Sequence, residues 1–182
     1  MDNLGQFINH LYGKCRIRET KPILVAVSGG IDSVLLCHLL KAVNQSFGIG
    51  HCNFQLRGDE SDKDEEFVKS QVLIHGVPAF FETFETQEYA GLNGISIEMA
   101  ARDLRYDFFE KVRIENDFDF IATAHHQDDL IETFFLNLSR KTGIKGLTGI
   151  KEKAGKIVRP LLFVGRAEIE NYASQNYIDF RE

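Results

Sequence analysis

Three cysteines, three prolines and no apolar run near the roughly 20 residues needed to span a bilayer exclude several classes for this 182-residue sequence. Cys15, Cys37 and Cys52 are odd in number and show no C-x-x-C spacing, so neither a disulfide framework nor a zinc knuckle is suggested. Reduced thiols follow, and the start, Met-Asp-Asn-Leu-Gly, lacks the basic and apolar segments of a secretion signal. A cytoplasmic location with no membrane partner is expected. Hydrophobic residues make up 43% and charged residues 26%, with 15 glycines, which sets aside disordered, collagen-like and linker chains. The formal charge of −6 gives no global attraction to nucleic acid, so any such attraction must be local. The length suits one domain with a sizeable core.

Short apolar runs alternate with amphipathic stretches, the pattern of β-α units around a parallel sheet. The expected fold is therefore α/β, a doubly wound parallel sheet of five strands. These are Ile23–Val27, Phe47–Asn53, Ala79–Phe84, Phe118–Ala124 and Lys156–Leu161. Helices are expected over about Asp32–Ala42, from the acidic run Asp59–Glu66 into Phe67, Val68, Val72 and Leu73, over Ser96–Asn116, from Gln127 to about Leu138, and over Arg166–Asn176. The acidic run loads the positive pole of its helix. Glu85–Gly94 and Gly143–Gly155 read as loops.

The sharpest signal is Ser28-Gly29-Gly30-Ile31-Asp32-Ser33, set between a wholly apolar strand and an apolar helix. Two glycines allow a tight turn whose amides converge on an anion at the helix start, and phosphate is the natural guest. The spacing is neither Walker A nor G-x-G-x-x-G. Asp32 is placed to hold a divalent cation bridging phosphate oxygens, with Ser28 and Ser33 as hydroxyl donors. The plain alternative is a strand-to-helix turn in which Asp32 or Ser33 is an N-cap.

A second constellation follows the fourth strand, where Asp129 and Glu132 share a helix face with His125 just upstream. In an open α/β sheet, ligands bind outside the strand ends where strand order reverses, so Asp32 and Asp129 should face one cleft. Such carboxylates suit magnesium, a substrate ammonium, or removal of its proton. His125, His126, Asp129 and Glu132 also allow a zinc or iron site, or only an acidic helix start with surface histidines. Between Arg140 and Arg159 lie seven basic residues and one acidic, a stretch suited to a phosphate backbone or to a solvated loop.

Several segments carry a resemblance. Ser28–Ser33 after a strand is similar to the pyrophosphate-binding loop of the N-type ATP pyrophosphatases. Further matches are His51-Cys52-Asn53-Phe54-Gln55-Leu56-Arg57-Gly58, Ala100-Ala101-Arg102-Asp103-Leu104-Arg105-Tyr106, Ala124–Thr133 and Arg159-Pro160-Leu161-Leu162. In that order they resemble the tRNA(Ile)-lysidine synthetase family from Lys21 onward. The resemblance implies an adenine-nucleotide hydrolase-like fold that uses ATP and Mg2+. It also implies an enzyme ligating L-lysine to the wobble cytidine of isoleucine tRNA with a CAU anticodon, through an adenylated base, with release of AMP and pyrophosphate. Ser28, Gly29, Gly30, Ile31, Asp32 and Ser33 would bind nucleotide, and Asp32 and Asp129 the metal. Asp32, Arg105, His125, Asp129 and Glu132 would serve catalysis, with Arg105 on RNA or developing charge. Residues 1–20 would form an N-terminal helix and 21–182 the catalytic domain. Since the family continues past Glu182 into tRNA-binding parts, this chain is expected to bind ATP but to modify tRNA weakly or not at all. A homodimer is compatible. The competing readings are a tRNA thiolase, which generally needs paired or nucleophilic cysteines, and a nucleotide sensor without catalysis.

Overall fold

The computed structural model describes residues 3–139 and 149–182. Helix α1 (Asn3–Ile8) runs into a π-helical turn (Asn9–Lys14), and β-α alternation then begins. The order is β1 (Ile23–Ala26), α2 (Ile31–Ala42), β2 (Phe47–Asn53), α3 (Asp59–His75), β3 (Ala79–Thr83), α4 (Thr86–Asn93), α5 (Ile97–Glu115), β4 (Phe120–Ala122) and α6 (Gln127–Ser139). It closes with β5 (Lys153–Ala154), β6 (Ile157–Val158) and α7 (Arg166–Gln175).

The sheet has six strands in the order β3-β2-β1-β4-β6-β5, not the expected five. β1, β2, β3, β4 and β6 are parallel neighbours, and β5 pairs antiparallel with β6. The extra strand comes from a two-residue reversal at Gly155 (φ +60°) and Lys156 inside the stretch read as loop and strand. That hairpin also shortens the fifth strand, which stops at Val158. Thr86–Asn93 is a helix, where a loop was expected. Of the basic stretch, Arg140, Lys141 and Lys145 lie outside the described residues. Lys153 and Lys156 sit over the Phe120 ring, and Lys156 also pairs with Asp119 at 3.6 Å.

β1 is buried because both sheet faces are covered, which is why its sequence is apolar without alternation. One face packs Leu35, Leu36 and Leu39 of α2, Val68 of α3, Ile169 of α7 and Phe7 of α1. The other packs Phe108, Phe109 and Val112 of α5 against Leu24 and Ile121. On this face β2 meets Phe118 with Gly48 and Phe109 with Gly50. A Cβ there would lie 2.6 Å from Phe118 Cζ and 2.7 Å from Phe109 Cε1, so the rings rest directly on the strand. Not every phenylalanine is buried: Phe135 on α6 is 61% exposed. Among the described residues no helix is long and apolar enough to cross a membrane.

Candidate active site

The chain leaves β1 toward β2 and β3 on one side and returns through β4 on the other, so strand order reverses between β1 and β4. A cleft of about 340 Å3 opens at their carboxyl ends, a volume suited to a small ligand. Ser28, Asp32, Ser33, Arg105, His125 and Asp129 all line it, joined by Cys52, Phe54 and Phe109. The two motifs read as facing each other in sequence do so in space.

The phosphate turn is built by its own serines. Ser33 Oγ accepts from the Ser28 amide at 3.2 Å and donates to the Gly30 carbonyl at 2.9 Å, while Ser28 Oγ accepts from the Gly30 amide at 3.3 Å. Gly29 holds φ +98°, a conformation that side chains rarely adopt. The N-cap of α2 is Gly30, which has no side chain to offer, so neither Asp32 nor Ser33 caps the helix. Among the described residues the amides of Gly29, Ile31 and Asp32 make no hydrogen bond within the protein, the state in which a helix start receives an anion. Behind the turn, buried His51 places Nδ1 2.8 Å from the Val27 carbonyl and fixes the end of β1. Burial lowers its pKa.

Asp32 is held by a residue that sequence reasoning did not single out. Arg166 Nη1 lies 2.9 Å from Asp32 Oδ2 and 3.1 Å from Oδ1. His126 entered the sequence reading only as a candidate zinc or iron ligand or a surface histidine. Its Nε2 stands 3.8 Å from Asp32 Oδ1 and 3.7 Å from Asp129 Oδ2, and its Nδ1 lies 3.5 Å from Asp128 Oδ2. Asp32 and Asp129 therefore flank one imidazole. Asp129 Oδ2 also accepts from the His126 amide at 2.8 Å, which anchors the start of α6. Glu132 is exposed on α6 and is not in the cleft lining.

His125 Nδ1 lies 2.9 Å from Thr123 Oγ1. Its pKa is lowered first by burial and then by the positive field of Arg159, so the ring is neutral at pH 7. Arg105 sits over the Phe54 ring at 5.2 Å, and Arg102 over Tyr106 at 5.0 Å. Cys52 reaches the cleft, but burial pushes its thiol up to about 12, and that of Cys15 up to about 11. Neither offers a thiolate nucleophile at neutral pH.

Among the described residues no three His, Cys, Asp or Glu side chains form a set that could hold a metal ion, so the zinc or iron alternative lacks ligands there. Two carboxylates beside a phosphate turn do fit magnesium. That ion is held by one or two carboxylates plus substrate phosphates, not by an all-protein cage.

The description "PP-loop domain" matches residues 2–182. The chain belongs to the PP-loop family. Similar proteins include the tRNA(Ile)-lysidine synthase of Bacteroides thetaiotaomicron, 49% identical over 158 residues, a match covering 87% of this chain and 37% of that protein. The tRNA(Ile)-lysidine synthase of Chlorobaculum tepidum is 40% identical over 181 residues, covering 97% of this chain and 55% of its own length. The chain thus spans between about a third and just over half of such relatives. In structure it is similar to the U34-tRNA thiolase NcsA from Methanococcus maripaludis, with a TM-score of 0.77 at 18% identity over 99% of this chain and 65% of the other. The NH3-dependent NAD synthetase from Campylobacter jejuni aligns with a TM-score of 0.64 at 13% identity, covering 97% and 72%. At those identities the likeness shows the PP-loop fold alone.

Proposed function

We propose that this domain carries the chemistry of tRNA(Ile)-lysidine synthesis: ATP-dependent ligation of L-lysine to the wobble cytidine of isoleucine tRNA with a CAU anticodon. The observation that carries it is the single cleft at the β1/β4 reversal, where the phosphate turn and Asp129 line the same space. Relatives 40–49% identical and bearing that activity in their name support it.

The base's ring carbonyl oxygen attacks the α-phosphorus of ATP, forming a C–O–P link while the bond to the β-phosphate oxygen breaks and pyrophosphate departs. The open amides of the turn and the Ser28 and Ser33 hydroxyls hold the phosphates and stabilise the charge that grows on the leaving group. Asp32 and Asp129 are the residues that would hold Mg2+, which when bound neutralises pyrophosphate oxygens. The ε-amine of lysine then attacks the activated ring carbon, a C–N bond forms, and AMP leaves with the oxygen. The ammonium must first lose a proton. Neutral His125 accepts it, while Asp129 and, farther out on α6, Glu132 give the cation an acidic approach. Arg105, exposed beside the cleft, faces the RNA phosphate or the α-phosphate as a fixed positive charge. Such a reaction belongs in the cytoplasm, where the three cysteines stay reduced.

The test is release of AMP and pyrophosphate from ATP in the presence of lysine and isoleucine tRNA. Dependence on both supports the proposal. A thiolase would ignore lysine, and a nucleotide sensor would leave ATP intact. Asp32→Ala is expected to abolish AMP formation; full activity in that variant contradicts its metal role.

A further inference from the structure

A second cavity of about 750 Å3 lies against the same turn, lined by Gly30, Ile31 and Asp32 and by Arg166 and Glu170 of α7. Asp32 borders both spaces, whereas Arg166 borders only the second. A polyphosphate whose inner end sits in the cleft and whose outer end passes the turn therefore arrives at Arg166. Resting on the nucleotide-binding reading above, we infer that Arg166 is an exchanging counter-ion. It neutralises Asp32 while the site awaits ligand, yields that carboxylate to the metal when a metal-polyphosphate enters, and then pairs with the outer phosphates.

Three observations carry this. First, Nη1 contacts both Asp32 oxygens, at 2.9 and 3.1 Å, the same atoms a cation would need. Arginine and metal cannot hold this carboxylate in the same way at once, and a guanidinium released beside a phosphate has a planar fork suited to it. Second, the backbone at Arg166 is anchored while its guanidinium is accessible. The Arg166 amide donates to Asp128 Oδ2 at 2.6 Å and Nε donates to Glu170 Oε1 at 2.7 Å, yet the side chain is 43% exposed. The exchange is a movement of the guanidinium and not of the helix. Third, Asp32, Asp128 and Asp129 all lie within 3.8 Å of the His126 ring, and without this arginine Asp32 would lose the cation that pairs with it. A divalent cation would then be drawn in alone. Arg166 makes the metal enter together with phosphate, which separates polyphosphates from AMP at the ligand-binding step.

Binding measurements on the 182-residue chain test this without an activity readout. Mn2+ alone is followed by electron paramagnetic resonance, and Mg2+-pyrophosphate and AMP by calorimetry. Arg166→Ala is expected to bind Mn2+ alone about tenfold more tightly than the wild type, because a carboxylate is freed. It should bind Mg2+-pyrophosphate about tenfold to a hundredfold more weakly, as loss of a charge-assisted contact requires. AMP affinity should not change. Arg166→Lys, which keeps the charge without the fork, should fall between the two on both measurements and decides the matter if the alanine variant fails to fold. Unchanged Mn2+ affinity, or an equal fall for pyrophosphate and AMP, shows a merely structural ion pair and overturns the inference. If the wild type itself binds neither Mg2+-ATP nor Mg2+-pyrophosphate, the nucleotide reading fails and this one with it. If the wild type binds both and the Arg166 variants match it, only this one fails.

Discussion

Gly29→Ala probes the turn at the point where its backbone is least ordinary. A Cβ built there meets Phe67 Cδ1 at 3.5 Å and Val68 Cγ2 at 3.7 Å, ordinary contacts, so crowding is not the problem. The problem is φ +98°, which costs a residue with a side chain about 1–3 kcal/mol, offset by about 0.4–1 kcal/mol because alanine also restricts the unfolded chain. The net loss is about 1–2 kcal/mol, a fall in Tm of about 2–8 °C for a chain of this size. If the turn relaxes to relieve the strain, the Gly29 carbonyl, which accepts from the Arg181 amide at 3.0 Å, moves and the amides beside it lose their aim. Losing even one amide-to-phosphate bond weakens Mg2+-ATP binding about tenfold to a hundredfold. Thermal unfolding and calorimetric titration with Mg2+-ATP read both effects. An unchanged Tm together with an unchanged Kd would refute the argument that this conformation is required and that the turn receives phosphate.

Burial lowers the pKa of His10, His38, His51, His75 and His125 below their ordinary value of 6.5. The unfolded chain therefore binds more protons in acid. Stability is full well above pH 6.5 and is lost as pH falls through that value, so Tm should drop as pH is lowered from about 7 to 5.5; a flat profile there contradicts the assignment. Glu60, Glu65 and Glu110 have pKa values lowered from 4.5, so their contribution is lost in more acid solution and does not blur that window. Gly50→Ala drives a Cβ to 2.7 Å from the Phe109 ring and should cost about 1–3 kcal/mol. Phe109→Leu in the same chain should restore part of the loss, and strict additivity in denaturant titrations would show that the two do not touch. Cys52, with its thiol pushed up to about 12, should resist iodoacetamide at about pH 8 in the folded protein, and rapid alkylation followed by mass spectrometry would argue otherwise.

What the sequence disclosed depended on how local each feature is. Ser28–Ser33 could be placed at a strand-to-helix turn because the apolar strand, the two glycines and the apolar helix are contiguous. That Asp32 and Asp129 should share a cleft followed from β-α alternation and the rule that ligands bind at strand ends where the order reverses. Arg166 could not be found that way, since it meets Asp32 across 134 positions and an arginine at a helix start carries no mark of its partner. His126 was overshadowed by its neighbour, because adjacent residues at a strand exit look alike until the backbone turns one toward Thr123 and the other toward three carboxylates. Thr86–Asn93 was read as loop because Gly91 and few apolar residues mask its periodicity; Ala90 is its buried apolar contact, and Thr86 Oγ1 donates to the Phe54 carbonyl at 2.9 Å. The acidic run Asp59–Glu66 does load the α3 start, but burial adds detail that composition hides. Asn53 Nδ2 donates to Asp62 and Glu65, and Asp64 pairs with both Arg57 and Arg181. The Asn53 contacts tie α3 to the end of β2, and the Arg181 pair ties it to the segment after α7.

The β5–β6 reversal bears on how this molecule behaves in a crowd. A margin only two residues long, folded straight back on itself, offers a foreign strand too little ladder to copy. The ammonium groups of Lys153 and Lys156 parked above Phe120 add like charge where two molecules would otherwise zip together. On that flank the sheet is insulated against runaway self-association.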